Sequence, residues 1–304
     1  MTEPFHKGER AVQLQTGERE HAAMNGKLIA DRIPASATLF IAQQYFCILG
    51  WASPKGDIWA SMLAGWQGFA TADGDGVMLR LRLTNENGVL KKTPPFCGLQ
   101  HGDQLGGLFI ELATRRRLRV NGRVEALLDG ELHLAVAEAY PNCPKFIQRR
   151  EVVKKSVTTK QADVQGGNAL NQDLEAWIAG ADTFFVASAH PDGRTDASHR
   201  GGKPGFIRIQ GGVLRIPDYP GNSMFGTLGN FALNPRAGLS FIDFERNRQL
   251  LMTGEVRLDL EVGDVEGETG GTGRWWEFHP RKWIIAPLNR AFDWGFIDAS
   301  PLNP

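Results

Sequence analysis

Pro54-Lys-Gly56-Asp-Ile-Trp-Ala60-Ser61-Met62-Leu63-Ala-Gly65-Trp-Gln-Gly68-Phe69 returns later in the chain as Pro191-Asp-Gly193-Arg-Thr-Asp-Ala197-Ser198-His199-Arg200-Gly201-Gly202-Lys-Pro-Gly205-Phe206. Pro, Gly, Ala, Ser, Gly, Gly and Phe coincide at a single offset. Downstream, Arg116-Arg-Leu118-Arg-Val-Asn-Gly122-Arg-Val124 parallels Arg248-Gln-Leu250-Leu-Met-Thr-Gly254-Glu-Val256 at a slightly shorter one. A repeat this long is a duplicated domain, since solenoid units are far shorter. Two like domains in one chain can pair as the subunits of a homodimer do.

The 304 residues suffice for two domains with separate cores. Apolar residues make up 42% and charged residues 22%, an ordinary globular balance. Lys plus Arg and Asp plus Glu number 34 each, so no net field recruits nucleic acid or a membrane surface. The runs Arg115–Arg117 and Gln148–Arg150 read as solvated surface. Residues 1–33 lack the apolar core of a signal peptide, and no stretch is apolar enough to span a bilayer. Cys47, Cys97 and Cys143 form neither a disulfide framework nor a zinc motif. The expected setting is cytoplasmic and reducing.

Residues 7–33 show roughly helical spacing, broken at Ile33-Pro34. After that come short β-rich runs punctuated by turn residues, among them 46–49, 76–81, 108–112 and 132–136. The second copy continues them at 184–186, 206–209, 212–216, 238–242 and 250–252. This predicts a mainly β protein built from barrels or sandwiches with accessory helices. The expected divisions are an N-terminal helical segment (1–37), copy one (38–155), a linker with a short helix (156–182) and copy two (183–304). Residues 263–273 read as a mobile loop, and the aromatic tail from Trp275 is expected to pack on the body.

Several chemistries are disfavoured. No strand–GxGxxG–helix, GxSxG or HExxH is present, Gly221–Gly226 lacks the Lys-Ser/Thr of a P-loop, and the histidines have no metal-ligand spacing. What remains is a difference between the copies. At one matched turn, copy one carries Ser61-Met62-Leu63-Ala64 and copy two carries Ser198-His199-Arg200-Gly201. A guanidinium, a hydroxyl and exposed backbone amides suit an anion such as phosphate. The apolar twin shows that the fold does not require this polarity. Asn222, Ser223, Thr227 and Asn230 add neutral donors around glycines, a pattern that an Asn-capped loop would also explain. Lys145 or Arg149, in the Pro-fixed stretch after Tyr140, could supply charge to a ligand between the domains, or that stretch could be a rigid crossing. Cys143 reads as a packing residue.

The run Asp196–Phe206, the segment Pro220-Gly-Asn222…Thr227-Leu-Gly-Asn230…Asn234-Pro-Arg236-Ala-Gly-Leu and the stretch Tyr140–Gln148 resemble the pyridoxamine 5'-phosphate oxidase-related flavin-nucleotide-binding proteins. Pro4–Glu9 and Ser300–Pro304 are similar to that group too. The resemblance implies two tandem FMN-binding split β-barrels forming an intramolecular pseudo-dimer. It implies FMN as cofactor, with FAD or haem as alternatives, and a small-molecule substrate or electron donor such as NAD(P)H. Carried over by position, Ser198, His199, Arg200, Asn222, Thr227 and Asn230 would contact flavin phosphate or ring, with Gly201, Ser223, Lys145 and Gln148 completing the set. His199 is the candidate proton donor, and no metal ligand is expected. The loop Asn222-Ser223-Met224-Phe225 lacks the basic residues of the true oxidase, so the expectation is a related oxidoreductase rather than that enzyme. The alternative is a non-catalytic flavin or haem store or redox partner. The chain is expected to be a monomeric pseudo-dimer or a homodimer, with one flavin site, because copy one carries Met62 and Leu63.

Overall fold

The computed structural model describes residues 3–85, 88–89, 94, 96–128, 130–155 and 164–304. Three helices open the chain: α1 (Lys7–Gln15), α2 (Arg19–Gly26) and α3 (Ala35–Ala42). The first unit follows with β1 (Phe46–Ala52), β2 (Ile58–Ala64), β3 (Ala70–Ala72), β4 (Met78–Arg82), β5 (Thr84–Asn85), β6 (Gly88–Val89), β7 (Gln104–Glu111), β8 (Arg116–Leu128), β9 (Glu131–Pro141) and β10 (Arg149–Lys155). After β11 (Gln165–Gly167) and α4 (Gln172–Gly180), the second unit has β12 (Thr183–Ala189), β13 (Thr195–Gly201), β14 (Arg208–Gln210) and β15 (Val213–Pro217). It ends with α5 (Gly226–Leu233), β16 (Arg236–Asp243), β17 (Arg248–Asp259), β18 (Trp275–Pro287) and β19 (Phe292–Asp298).

The duplication read from the sequence is repeated in the sheets. The first has strand order β2-β1-β7-β8-β9-β4-β3 and the second β13-β12-β16-β17-β18-β15-β14, so each strand has a counterpart in the same place. Registers agree as well: Phe46 faces Ala64 as Thr183 faces Gly201, and both long strands are bulged just before Gly122 and Gly254. Each sheet wraps its own core, one around Leu49, Leu81 and Phe109, the other around Val186, Leu214 and Phe241. A third cluster, with Ile48, Met62, Phe185 and Ala197, lies where the units meet.

That junction needs glycine at two matched positions. A Cβ on Gly106 would lie 2.6 Å from the Asp196 Cα, and one on Gly238 would lie 2.5 Å from the Trp59 Cα. Asp196 and Trp59 are themselves counterparts, so these contacts are the two halves of a pseudo-twofold interface.

Several expectations are corrected. The matched stretches 58–64 and 195–201 are not turns but the strands β2 and β13. Both are buried almost throughout, so they lack the polar alternation that marks a half-buried strand. The supposed helix over 7–33 is two helices broken at Gly17, whose φ of 71° is left-handed. Helix α3 carries on past residue 37. The 263–273 loop is pinned rather than loose, since the Asp264 carboxylate accepts from the Thr269 and Gly271 amides. The linker expectation over 156–163 falls outside the described residues; the rest of 156–182 holds β11 and α4. The tail does pack on the body. Strand β19 pairs with β10 of the first unit, and Phe292 is buried in the interunit cluster.

Helix α1 packs on the second unit, whereas α3 buries Phe40 and Ile41 in the first unit's core. Gly8 of α1 meets Gly229 of α5 so closely that a Cβ on Gly8 would come within 2.2 Å of the Gly229 carbonyl oxygen. Among the described residues, no helix is long and apolar enough to cross a membrane.

Candidate anion and cofactor site

Between the units lies a cavity of about 110 Å³. The second unit contributes Ser198, His199, Arg200 and Gly201 from β13, the loop Asp218–Phe225, and Gly226, Thr227 and Leu228 from the first turn of α5. The first unit contributes Arg117 and Arg119 from β8, and Asn142, Cys143, Lys145 and Phe146 after β9. Helix α5 starts here because Phe225 takes a left-handed φ of 61° that turns the chain into it. Its N-terminal end therefore adds partial positive charge to a wall already carrying guanidinium groups.

Strand alternation puts Asp196, Ser198 and Arg200 on one face of β13 and His199 on the other. Arg119 crosses from the first unit to meet them. Its Nε lies 2.7 Å from Asp196 Oδ1, its Nη1 donates to the Tyr140 hydroxyl at 2.8 Å, and its Nη2 donates to Ser198 Oγ. Thr227 Oγ1 donates to the same Ser198 oxygen at 3.1 Å, so the serine proton is left for a further acceptor. Burial lowers the Arg119 pKa, but Asp196 and Tyr140 outweigh it and hold the guanidinium firmly charged.

Arg200 and Arg117 are less well matched. The Arg200 side chain is 22% exposed, its nearest carboxylate is Asp218 at 3.8 Å, and its Nε is buried without a partner. Burial, with Arg119 nearby, lowers its pKa against the pull of Asp218. Arg117 Nε is also buried and unpartnered, and burial with Arg119 and Arg200 brings that guanidinium down to about 9. Two half-buried cations, each with a buried donor left free, are costly until an anion meets them. Arg274 differs: it is paired with Asp218 at 3.0 Å and Glu18 at 2.6 Å.

His199 is 3% exposed and lies edge-on to the Phe185 ring, with Nε2 unpartnered. Burial, then Arg117 and Arg200, holds its pKa well below the usual histidine value, so the ring is neutral near pH 7. An imidazolium acid, as expected from the sequence, is not what this environment favours. Asn222 and Ser223 line the cavity with their side chains already engaged. Asn222 Nδ2 donates to Asn142 Oδ1 at 3.1 Å, and Ser223 Oγ donates to Glu18 Oε2 at 2.5 Å. Gly201 is where the loop from the first unit comes closest, since a Cβ there would lie 2.1 Å from the Phe146 carbonyl oxygen.

Three candidates from the sequence sit elsewhere. Asn230 donates to Ser188 Oγ at 3.0 Å and faces a second cavity on the far side of α5. Gln148 is 1% exposed and ties down the C-terminus, accepting from the Ser300 amide and donating to Asn303 Oδ1. Arg149 is paired with Asp298 and does not reach the cavity. The sequence reading missed Arg117, Arg119 and Arg274. The first belongs to the basic run assigned to solvent, and its spacing of two from Arg119 on a strand was the available signal.

The mirror position is packed. By the matched registers of β8 and β17, Gln249 and Leu251 are the counterparts of Arg117 and Arg119. Gln249 Oε1 accepts from the Met62 amide at 2.9 Å, while Leu63 and Leu251 lie in the first unit's core. The described residues contain no cluster of side chains able to hold a metal ion.

No family model and no curated protein matches the chain. Solved structures similar to it each cover about two fifths of the chain. HupZ of Group A Streptococcus is 15% identical, with 40% of this chain and 98% of that one covered and a TM-score of 0.32. HutZ, the haem storage protein of Vibrio cholerae, is 11% identical, with 41% and 96% covered and a TM-score of 0.29. An FAD-binding protein of Mesorhizobium loti is 11% identical, with 40% and 98% covered and a TM-score of 0.27. By its own sheet order, this chain is a tandem pair of split β-barrels.

Proposed function

We propose that the interunit cavity holds the phosphate of a flavin nucleotide, FMN in the first instance, and that the chain is a flavin-dependent oxidoreductase. The observation that carries this reading is the pair of guanidinium groups lining the cavity, Arg117 and Arg200, each with a buried, unpartnered Nε. A phosphate dianion satisfies both and relieves their mutual repulsion. Ser198 offers its free hydroxyl proton, and Arg119 holds that hydroxyl in place. The choice of a flavin over other phosphates rests on the motif resemblance of Asp196–Phe206 and Tyr140–Gln148. Phe146, Tyr219 and Phe225 supply ring faces along the same wall.

When bound, the isoalloxazine would supply the redox chemistry. The chain's own part is to anchor the anionic tail, exclude water and present neutral groups. His199, uncharged, offers Nε2 as a hydrogen-bond partner rather than a proton source. One site per chain is proposed, because the mirror position is filled by Leu63, Leu251 and Gln249.

Denaturing the purified protein and identifying the released small molecule by mass tests this reading. FMN supports it, and bleaching of the bound flavin by NADH or NADPH supports an enzyme over a store. Release of haem, or of nothing from a colourless protein that also fails to bind added FMN, contradicts it.

A further inference from the structure

A second cavity, of about 70 Å³, lies behind the Arg119–Asp196 pair, between α1, β8, β9 and the start of α5. Its character is opposite to that of the first. Glu9, Glu138 and Asp196 all face it; among the described residues the guanidinium seated on one of them is Arg119, at Asp196, and His6 Nε2 lies 3.4 Å from Glu9 Oε2. Arg194 at the rim is already paired with Asp192.

Two acceptors directed at this space have no donor. Asp196 Oδ2, on a residue 6% exposed, is buried and unpartnered, and so is Asn121 Oδ1. The Asn121 amide cannot turn to help, because its Nδ2 is shared between Glu138 Oε2 and Asp196 Oδ1, each 3.4 Å away. A Cβ built on Gly226 would lie 3.2 Å from Asp196 Oδ2 and 3.6 Å from both Arg119 Nη1 and Glu9 Oε1, so the Arg119–Asp196 pair and Glu9 meet beside that glycine.

The fold does not require this acidity. Asp196 is the counterpart of Trp59, and Glu138, opposite Asn121, is the counterpart of Lys282, opposite Thr253. At the mirror position the Lys282 ammonium lies 6.0 Å from the centroid of the Trp59 ring. One side of the pseudo-dimer thus fills the space with an indole and a lysine. The other leaves a hollow lined by carboxylates. Buried carboxylates in excess of their cations are costly unless a proton or a cation joins them.

We infer that this hollow is a binding site for the ammonium head of a small primary amine, held by Asp196 Oδ2, Asn121 Oδ1 and the Glu138 carboxylate. The unmet groups are acceptors, and an alkylammonium brings three N–H donors and one positive charge. At about 70 Å³ the hollow has room for a head about the size of a water molecule, and a quaternary ion would bring no N–H donor to the unmet acceptors. The site stands apart from the flavin reading and makes no use of it.

Calorimetric titration of the intact chain, in phosphate-free and flavin-free buffer, tests it with methylammonium as the probe and tetramethylammonium and sodium as controls. One saturable methylammonium site per chain is expected, at least about tenfold tighter than either control. Glu138→Gln, which leaves the Arg119–Asp196 pair intact, should weaken it about tenfold, as should Gly226→Ala, which fills the hollow from the helix side. Three results would overturn the inference: no saturable binding, meaning that a shared proton alone serves the carboxylates; equal or tighter sodium binding; or unchanged affinity in Glu138→Gln. FMN binding measured separately on the same samples keeps the two assignments distinguishable.

Discussion

Leu251 holds in the second unit the place that Arg119 holds in the first. The leucine is wholly buried in the neighbouring unit's core, whereas the arginine reaches across to the Ala197 carbonyl and to Ser198. Duplication provides two equivalent interunit positions, and these residues divide them into a packed one and a hollow one. The same division appears at Met62 and His199, at Leu63 and Arg200, and at Gln249 and Arg117. A pair of identical subunits would have to carry the same residue at both positions.

Arg117→Gln installs in the cavity the residue found at its mirror position. Removing a half-buried guanidinium whose Nε has no partner should leave the ligand-free protein as stable or more so, read by thermal melting. Affinity for FMN, read by quenching of flavin fluorescence, should fall roughly ten- to a hundredfold, the worth of a charge-assisted hydrogen bond. Arg200→Ala should behave alike. Full affinity retained in both variants would contradict the anchoring role.

Leu251→Ala tests the packed position. It should cost about 2–5 kcal/mol in denaturant unfolding, as large-to-small changes in a filled core do. Flavin affinity should stay within about twofold, well below the effect of losing a charged contact. A large loss of flavin affinity from this variant would mean that the mirror position also binds.

Gly201→Ala asks whether the first unit's loop must approach as closely as it does. The added methyl would lie 2.1 Å from the Phe146 carbonyl oxygen, so the loop carrying Lys145 and Phe146 must withdraw. Weaker flavin binding and a lower melting temperature are expected together. An unchanged melting temperature would show that the loop yields freely.

Glu9 makes the stability depend on pH. Burial, reinforced by Asp196 and Glu138 against the opposing His6 amide, lifts its carboxyl from an ordinary 4.5 to about 8. Because the folded state holds this proton more tightly than the unfolded chain does, the contribution is complete below the unfolded value. It is lost as pH rises through the folded value. Glu9→Gln should therefore gain in melting temperature relative to the parent as pH climbs from about 5 to about 8. A difference that does not vary with pH would remove Glu9 from this role.

Much of this was legible in the residues. Gly56, Ser61, Gly65 and Phe69 against Gly193, Ser198, Gly202 and Phe206 revealed the duplication, and the sheet orders repeat it. Ser198, Arg200 and Gly201, which line the interunit cavity, were singled out by comparing the copies, because an apolar twin exposes polarity that folding does not demand; Thr227 came from the donor-rich loop. Arg117 and Arg119 were not found, since strand–strand docking across the interface is a tertiary fact and a basic run resembles solvated surface. Asn230 and Gln148 were misplaced for a related reason. Motif position predicts which element carries a side chain, but local hydrogen bonds to Ser188 and Ser300 decide where it points. Strands β2 and β13 escaped notice because burial on both faces erases the alternation that identifies a strand.

The central claim is that one interunit position, and one alone, accepts an anionic cofactor. Equilibrium dialysis of the intact chain against FMN measures it most directly, with Arg117→Gln/Arg200→Ala alongside. The account predicts saturation at one flavin per chain and its loss in the double variant. Two equivalent flavins per chain, or binding undiminished without these two guanidinium groups, would contradict it.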